Sequence, residues 1–140
     1  MAILEKKNIF INSSLDNKED ILSFIGKTMY ENGYTTEHYT TALLEKEKVF
    51  NTAIGFGMAI PHGIETMKSE ILKSGLVVLT TPQGVDWGNG QSVRLIVGIA
   101  GLGEEHMELL SQIAMSCCSQ EQVDQLVASS KDEIYEQFTK

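Results

Sequence analysis

Apolar positions along the chain follow two periods, one typical of strands and one typical of helices. Short apolar or β-branched runs predict strands over 8–12, 76–80 and 93–100, and the last of these is the most apolar segment of the chain. Apolar residues three and four positions apart predict helices over 17–33 and 36–48. The chain therefore mixes strands with helices instead of repeating one kind of element.

Three further helices are predicted to close the chain, over 104–118 and from Ser119 and Ser130 onward. Each of the two serines has a glutamine or a glutamate three residues later, which is the spacing of a capping box. The first of the three helices is expected to turn one apolar stripe inward, consisting of Met107, Leu110, Ile113, Ala114 and Cys117.

Shorter signals lie between these elements. Helical spacing predicts a short helix over 64–72, the proline and glycine of 82–84 predict a turn, and 85–87 predicts a short edge strand. Alternating strands and helices of this kind are typical of an α/β protein. The sequence therefore predicts one α/β domain over residues 1–140, with a mixed β-sheet of about five strands flanked by helices on both faces.

The length and net charge of the chain exclude some classes of function. The chain has 140 residues, 42% hydrophobic and 21% charged, as expected for a globular domain with its own core. Its net charge of −8 argues against nucleic acid as a partner, because phosphate binding needs clustered Lys and Arg. No apolar run is long enough to cross a bilayer and no secretory signal is recognisable, so a cytoplasmic protein without direct membrane insertion is expected.

The two cysteines, Cys117 and Cys118, are adjacent in the chain and lie in a predicted helix. Neighbouring helical side chains point in different directions, so a disulfide between them is not expected. Their spacing also does not match a metal-binding pair. We therefore expect two small thiols that contribute to packing.

The stretch over 55–63, with the sequence GFGMAIPHG, contains the main candidate for chemistry. Its apolar part can form only a short buried strand, and Pro61 ends regular pairing because it fixes φ and lacks an N–H. His62 is therefore expected at a strand end, while Gly63 permits a positive φ or a close approach of the backbone to another group. Taken alone, such a histidine is as often a turn residue bonded to backbone as a functional one.

A second histidine, His106, is predicted in the first turn of the helix that follows the strand over 93–100. The glycines of 101–103 leave N–H groups free at that helix N-terminus, which favours anions. Both histidines follow strand ends, so we expect them on one rim of the sheet. A neutral imidazole is a good nucleophile, and phosphoryl transfer to nitrogen therefore fits the pair without a metal. A metal site is the weaker alternative, because no third ligand is clear; His38 is given no role.

Three groups of residues occur in order along the chain: GMAIPHG at 57–63, the segments 72–78 and 82–88, and VRLIVGIA at 93–100 followed by Glu-Glu-His at 104–106. In combination they resemble enzyme IIA of the mannitol/fructose class of the bacterial phosphoenolpyruvate-dependent sugar phosphotransferase system. The first group resembles the phosphorylation-site motif of that family, and the last resembles the block with its second active-site histidine. The resemblance spans nearly the whole chain and is nearest to the mannitol branch.

The resemblance implies a role for each candidate residue. His62 would accept a phosphoryl group from the phosphorylated carrier protein HPr, as a tele-phosphohistidine, and pass it to a cysteine of an enzyme IIB, free or fused to a membrane IIC domain. His106 would stabilise the phosphorylated ring. Family members often have an arginine at the end of the second helix, and that position is Lys46 here, which would keep the charge but lose the bidentate fork. The resemblance implies neither a metal nor another cofactor.

The function implied by the resemblance is a phosphocarrier, a phosphotransferase component that supports uptake and phosphorylation of a sugar alcohol, with mannitol as the expected one. The alternative is a regulatory protein similar to enzyme IIA, whose phosphorylation state controls its binding to other proteins. A histidine-based metal hydrolase is the third and weakest hypothesis.

Overall fold

The structure, a computed structural model, describes residues 3–139. The strands are β1 (Ile9–Phe10), β2 (Ala53–Gly55), β3 (Met58–Ala59), β4 (Gly75–Gly88) and β5 (Gln91–Ala100). The helices are α1 (Lys18–Glu31), α2 (Tyr39–Val49), α3 (Glu105–Ser116), α4 (Gln120–Val127) and α5 (Lys131–Thr139). Within residues 3–139, no helix combines the length and the apolar character needed to cross a membrane.

The five strands form one mixed sheet in the order β1-β4-β5-β3-β2. β4 and β5 pair antiparallel at its centre, β1 lies parallel to β4, and β3 lies parallel to β5, while β2 pairs antiparallel with β3 at the edge. Because β3 and β5 run in the same direction, their carboxyl ends meet at one edge of the sheet. His62 follows the first of these strands and His106 follows the second.

Helices cover both faces of the sheet, so the predicted fold class is confirmed. Side chains alternate along β4: Val77 and Leu79 face the layer of α1 and α2, while Leu76 and Val78 face the layer of α3, α4 and α5. The two layers bury most of their apolar stripes; examples are Ile21, Ile25, Met29, Tyr39 and Leu43 on one face, and Leu109, Ile113, Val123 and Ile134 on the other.

The predicted turn over 82–84 and edge strand over 85–87 are wrong. β4 continues through both segments, and its pairing with β5 shifts register between Thr80 and Val85. A bulge of this kind tolerates a proline, which cannot donate to the ladder, and Gly84 adopts a φ of +82° there. The chain reverses at Asn89 and Gly90, both with positive φ, as in the tight turns that join antiparallel strands.

Two predicted helices also differ from those observed. The segment over 64–72 forms a short 3₁₀ helix, Glu65–Glu70, that is interrupted by non-helical backbone at Met67. The helix predicted over 104–118 ends at Ser116, and Met107 and Ala114 lie on its exposed side. The observed inner stripe is His106, Leu109, Leu110, Ile113 and Cys117. The polar residue His106 therefore belongs to the inward stripe, which a search for apolar periodicity overlooks.

Three helix starts agree with capping residues in the sequence, whereas the helix predicted from Thr36 begins at Tyr39 and has no side-chain cap. The Asn17 side-chain oxygen accepts from the Asp20 N–H at 2.9 Å, and Ser119 Oγ accepts from the Gln122 N–H at 3.2 Å. At Ser130 the capping box is complete, because its N–H also donates to the Glu133 carboxylate at 2.9 Å. These caps satisfy N–H groups that the first turn of a helix leaves without a partner.

We predict that Gly26→Ala destabilises the protein although alanine is the better helix former. A Cβ on Gly26 would lie 1.9 Å from Thr40 Oγ1 and 2.8 Å from Thr40 Cα, so α1 and α2 would have to move apart. Overpacking of this kind costs about 1–3 kcal/mol, more than the propensity gain of about 1 kcal/mol. Urea unfolding measures the difference. Ser23→Ala on the exposed face of α1 is the control and should be neutral or stabilising. An equal increase in the free energy of unfolding for both variants would contradict the prediction.

Candidate functional site

His62 is held at the carboxyl end of β3 by backbone pairing and by its own ring. The residue forms an isolated parallel bridge with Ile99, and the Ile99 N–H donates to the Pro61 carbonyl at 2.8 Å. The ring nitrogen Nδ1 lies 2.9 Å from the Ile60 carbonyl oxygen. A carbonyl oxygen can only accept, so Nδ1 carries the proton in this contact. In the neutral ring the lone pair is then on Nε2, which is the nucleophilic nitrogen.

The carbonyl that orients His62 is itself anchored by a hydrogen-bonded network. The Ile60 N–H donates to the Thr52 carbonyl at 3.0 Å, and the Thr52 N–H donates to the Glu47 carboxylate at 3.2 Å. That carboxylate is 6% exposed and forms an ion pair of 2.8 Å with Lys18, while the Thr52 hydroxyl also donates to it. The position of the His62 ring therefore depends on contacts made at the ends of α1 and α2.

Tyr39 fixes the backbone on the other side of His62. Its hydroxyl donates to the Ile99 carbonyl at 3.0 Å and accepts from the Gly63 N–H at 2.9 Å, so it bridges β5 and the loop. A Cβ on Gly63 would lie 2.7 Å from the Tyr39 ring, so the close approach anticipated at this glycine is made to that ring. Burial raises the pKa of Tyr39 to about 12, and the hydroxyl keeps its proton at neutral pH.

The structure brings His106 against His62, with ring centroids 5.4 Å apart and ring planes 64° from parallel. His106 lies in the first turn of α3, and its backbone packs so closely on Gly101 that a Cβ there would be 2.6 Å from His106 Cα. Burial and the neighbouring His62 lower the pKa of His106 from its ordinary value. His106 is therefore neutral at pH 7 and has one N–H donor and one acceptor.

Lys46 also reaches this end of the sheet. Its ammonium forms an ion pair of 2.7 Å with the Glu65 carboxylate and lies 5.2 Å from the centroid of the Phe50 ring. The Lys46 side chain is only 12% exposed, whereas that of Glu65 is 71% exposed. The hydrogen bond from Lys46 lowers the pKa of Glu65, and the carboxylate is therefore ionised at neutral pH.

The two histidines open into a cleft of about 420 Å³. Its lining includes His62, His106, Glu65, Lys68 and the glycine-containing loop over 101–103. The loop is tied down because the Leu102 N–H donates to Ser74 Oγ at 2.9 Å, and Ser74 in turn donates to the Glu105 carboxylate at 2.7 Å. Two imidazoles, Lys68 and the N-terminus of α3 line this space and favour an anionic group, while the Glu65 carboxylate in the same lining is paired with Lys46.

The cleft was anticipated in part from the sequence. His62, His106 and Lys46 were each singled out, and the structure places the first two side by side. Tyr39 lies within the helix predicted over 36–48, and the sequence assigns a role neither to it nor to Glu65. A buried tyrosine needs a partner for its hydroxyl, which is the signal that could have suggested a bridging role. Glu65 gave no such signal, because its contact with α2 depends on the path of the 3₁₀ helix.

The described part of the chain, residues 3–139, contains no group of three or more His, Cys, Asp or Glu side chains positioned to hold a metal ion. The metal-hydrolase hypothesis therefore has no supporting ligand set there. Cys117 is buried, and burial raises the pKa of its thiol to about 12, while Cys118 is exposed. A thiol that holds its proton so firmly is a poor metal ligand or nucleophile.

Comparison with known proteins supports the resemblance to enzyme IIA that the sequence motifs indicate. Residues 2–140 match the family described as "Phosphoenolpyruvate-dependent sugar phosphotransferase system, EIIA 2". A mannitol-specific phosphotransferase enzyme IIA component from Bacillus subtilis is 38% identical over 133 residues, which are 95% of this chain and 93% of that protein.

Two solved structures share the fold. The crystal structure of mannitol IIA from Escherichia coli has a TM-score of 0.87 at 30% identity, with 96% of this chain and 98% of that one covered. A complex of enzyme IIA and phosphorylated enzyme IIB for mannitol, also from Escherichia coli, has a TM-score of 0.89 at 28% identity, with coverage of 96% and 97%. The matched family, the identity over nearly the full length and the shared fold agree with the motif around the paired histidines, and the chain therefore belongs to the EIIA 2 family of the phosphoenolpyruvate-dependent sugar phosphotransferase system.

Proposed function

We propose that this chain is a phosphocarrier for mannitol uptake, in which His62 is transiently phosphorylated. The phosphoryl group comes from phosphorylated HPr and passes to a cysteine of an enzyme IIB. The observation that carries the proposal is the hydrogen bond from His62 Nδ1 to the Ile60 carbonyl, which leaves Nε2 as the nucleophile at the edge of the cleft. The mannitol-specific enzyme IIA relatives support the substrate system, and the solved complex with phosphorylated enzyme IIB supports that partner.

In the proposed reaction the Nε2 lone pair attacks the phosphorus of the donor phosphohistidine. A P–N bond forms at Nε2 while the P–N bond of the donor breaks, and the electrons of the broken bond stay on the donor nitrogen. The Nδ1 proton remains on its hydrogen bond to Ile60, so the phosphorylated ring is held as an imidazolium. A cationic ring is a good leaving group, which favours onward transfer to the thiolate of enzyme IIB.

His106 and Lys46 act on the charge of the transferring group. His106 is adjacent to His62, and its N–H is a donor that can reach a phosphoryl oxygen after a small movement of either ring. Lys46 supplies a positive charge close to both histidines. Its ammonium acts as a point charge and lacks the bidentate hydrogen-bonding geometry of an arginine guanidinium. Neither role requires a metal ion, because phosphoryl transfer between nitrogens can be catalysed by positioning and charge alone.

The remaining assignments follow from this role. The proposed phosphoryl donor and acceptor act in the cytoplasm, and we place this enzyme IIA there. We propose that residues 1–140 form a single phosphocarrier domain. The alternative regulatory function is less favoured, because the identity of 38% to a mannitol-specific relative supports a transport system.

We predict that His62→Ala abolishes phosphorylation, because it removes the only atom proposed to accept the phosphoryl group. The protein is mixed with phosphoenolpyruvate, enzyme I and HPr, and its intact mass is measured at alkaline pH. The wild type should gain one phosphoryl group that acid removes. His38→Ala, which removes an exposed histidine, is the control and should be phosphorylated normally. A mass gain in His62→Ala would disprove the assignment.

We predict that the phosphoryl group is attached to Nε2 of His62. Two-dimensional ¹H–¹⁵N spectra of the histidine rings distinguish the two nitrogens and also report the tautomer before phosphorylation. In the unmodified protein Nδ1 should carry the proton, and after phosphorylation the phosphorus coupling should appear at Nε2. Phosphorus on Nδ1 would mean that the contact with Ile60 is lost before the reaction.

We predict that His106→Ala slows phosphoryl transfer by about 10²-fold, the loss typical of removing one well-positioned donor. The acceptor remains, so the final extent of phosphorylation should be nearly unchanged. His106→Gln retains an N–H donor and should recover part of the rate. Rapid-quench measurement of transfer from phosphorylated HPr gives the rates, and equal rates for His106→Ala and the wild type would leave His106 with a packing role only.

A further inference from the structure

The ion pair between Lys46 and Glu65 couples the cation of the cleft to the loop that carries the nucleophile. Lys46 is close to the end of α2, while Glu65 is three residues after His62 and begins the 3₁₀ helix. Their 2.7 Å contact therefore joins α2 to the segment directly after His62.

Both members of the pair are within electrostatic range of the histidines. The pKa of His106 is lowered mainly by burial and by His62, while the Glu65 charge raises it and the Lys46 charge lowers it. In the unmodified protein these two charges therefore act on His106 in opposite directions. The Lys46 ammonium is thus present at the site but is already bound to the Glu65 carboxylate.

Phosphorylation of His62 would add a second anion that competes with the Glu65 carboxylate for the Lys46 ammonium. A phosphoryl group carries a charge of about −1.5 to −2 near pH 7, and its oxygens are strong acceptors. The Glu65 carboxylate carries a single charge and is 71% exposed, so water can solvate it when its contact with Lys46 opens. A lysine has a compact ammonium on a flexible stem and can move from one anion to another.

We propose that Glu65 is a positioning residue that holds Lys46 while His62 is unmodified and yields it to the phosphoryl group once His62 is phosphorylated. The inference rests on the proposed phosphorylation of His62. Glu65 remains in competition for the ammonium, so the phosphorylated state is stabilised less than it would be by a free lysine. The phosphoryl group is thereby kept transferable, and Glu65 sets how readily this protein gives it up.

The test measures the ionisation of the phosphoryl group itself. Phosphoramidate, a small-molecule phosphoryl donor, phosphorylates the protein without HPr, in a His38→Gln background that removes the exposed histidine. A ³¹P NMR titration then gives the pKa of the phosphoryl group in four proteins: the parent, Glu65→Gln, Lys46→Met and the double variant. Glu65→Gln frees Lys46, which favours the dianion, so the phosphoryl pKa should fall by about 0.2–0.7 pH unit, as expected for an exposed pair.

The double variant separates an effect through Lys46 from direct repulsion by Glu65. If Glu65 acts through Lys46, the shift caused by Glu65→Gln should largely disappear in the Lys46→Met background. An equal shift in both backgrounds would mean that Glu65 acts on the phosphoryl group directly, or that Lys68 is the cation involved, and would overturn the proposal. No shift in Glu65→Gln would overturn it as well.

Asp132→Asn is the matched control. Asp132 forms an exposed ion pair of 3.2 Å with Lys6, and α5 packs near β1 at the opposite edge of the sheet from β3, so the variant removes one negative charge away from the cleft. It should leave the phosphoryl pKa unchanged. The two proposals fail in different ways: failure of HPr to phosphorylate His62 contradicts the proposed function, whereas a phosphorylated His62 whose phosphoryl pKa shows no Lys46-dependent shift in Glu65→Gln contradicts the role of Glu65 alone.

Discussion

The hydrogen bond of 2.9 Å between His62 Nδ1 and the Ile60 carbonyl is the constraint on which the site depends. It fixes the tautomer, because a carbonyl oxygen cannot donate, and it fixes the rotation of the ring at the same time. Without it either nitrogen could carry the lone pair and the ring could turn away from the cleft. The nitrogen that keeps the lone pair is thus selected by a backbone carbonyl two residues earlier in the chain rather than by another side chain.

That backbone is held rigid by contacts that lie away from the cleft. The Ile60 N–H is bound to the Thr52 carbonyl, and Thr52 is bound to the buried carboxylate of Glu47. The Trp87 indole N–H donates to the Thr52 hydroxyl at 3.2 Å, which adds the end of β4 to the same network. A buried carboxylate is tolerated here because Lys18 and Thr52 satisfy its oxygens. Contacts from the ends of α1, α2 and β4 therefore fix Thr52, whose carbonyl holds the residue that orients His62.

The sequence indicates the site well wherever the deciding contacts are local. Pro61 ends a short apolar strand and is followed directly by His62, and the first turn of the next helix after a strongly apolar strand contains His106, so both positions could be read from neighbouring residues. The ring contact of 5.4 Å required in addition that β3 lie parallel to β5, which short strands do not reveal. The run Pro82-Gln83-Gly84 has the composition of a turn, yet long-range pairing with β5 keeps it inside β4. The Lys46–Glu65 contact depends on a 3₁₀ helix where helical spacing predicted an ordinary one, and residues 19 apart in the chain give no local sign of meeting.

The properties of Lys46 at this site depend on its ion pair with Glu65. An arginine facing Glu65 could form two parallel hydrogen bonds to the carboxylate, and that geometry would resist transfer to a second anion. The lysine ammonium is compact and is not restricted to one planar hydrogen-bonding geometry. It can therefore exchange one anionic partner for another without the reorientation that a planar guanidinium would need. In this chain the lysine at position 46 has a nearby carboxylate, that of Glu65, which binds its ammonium at 2.7 Å. If His62 is phosphorylated as proposed, a mobile charge suits a histidine that must accept the phosphoryl group easily and must also give it up easily.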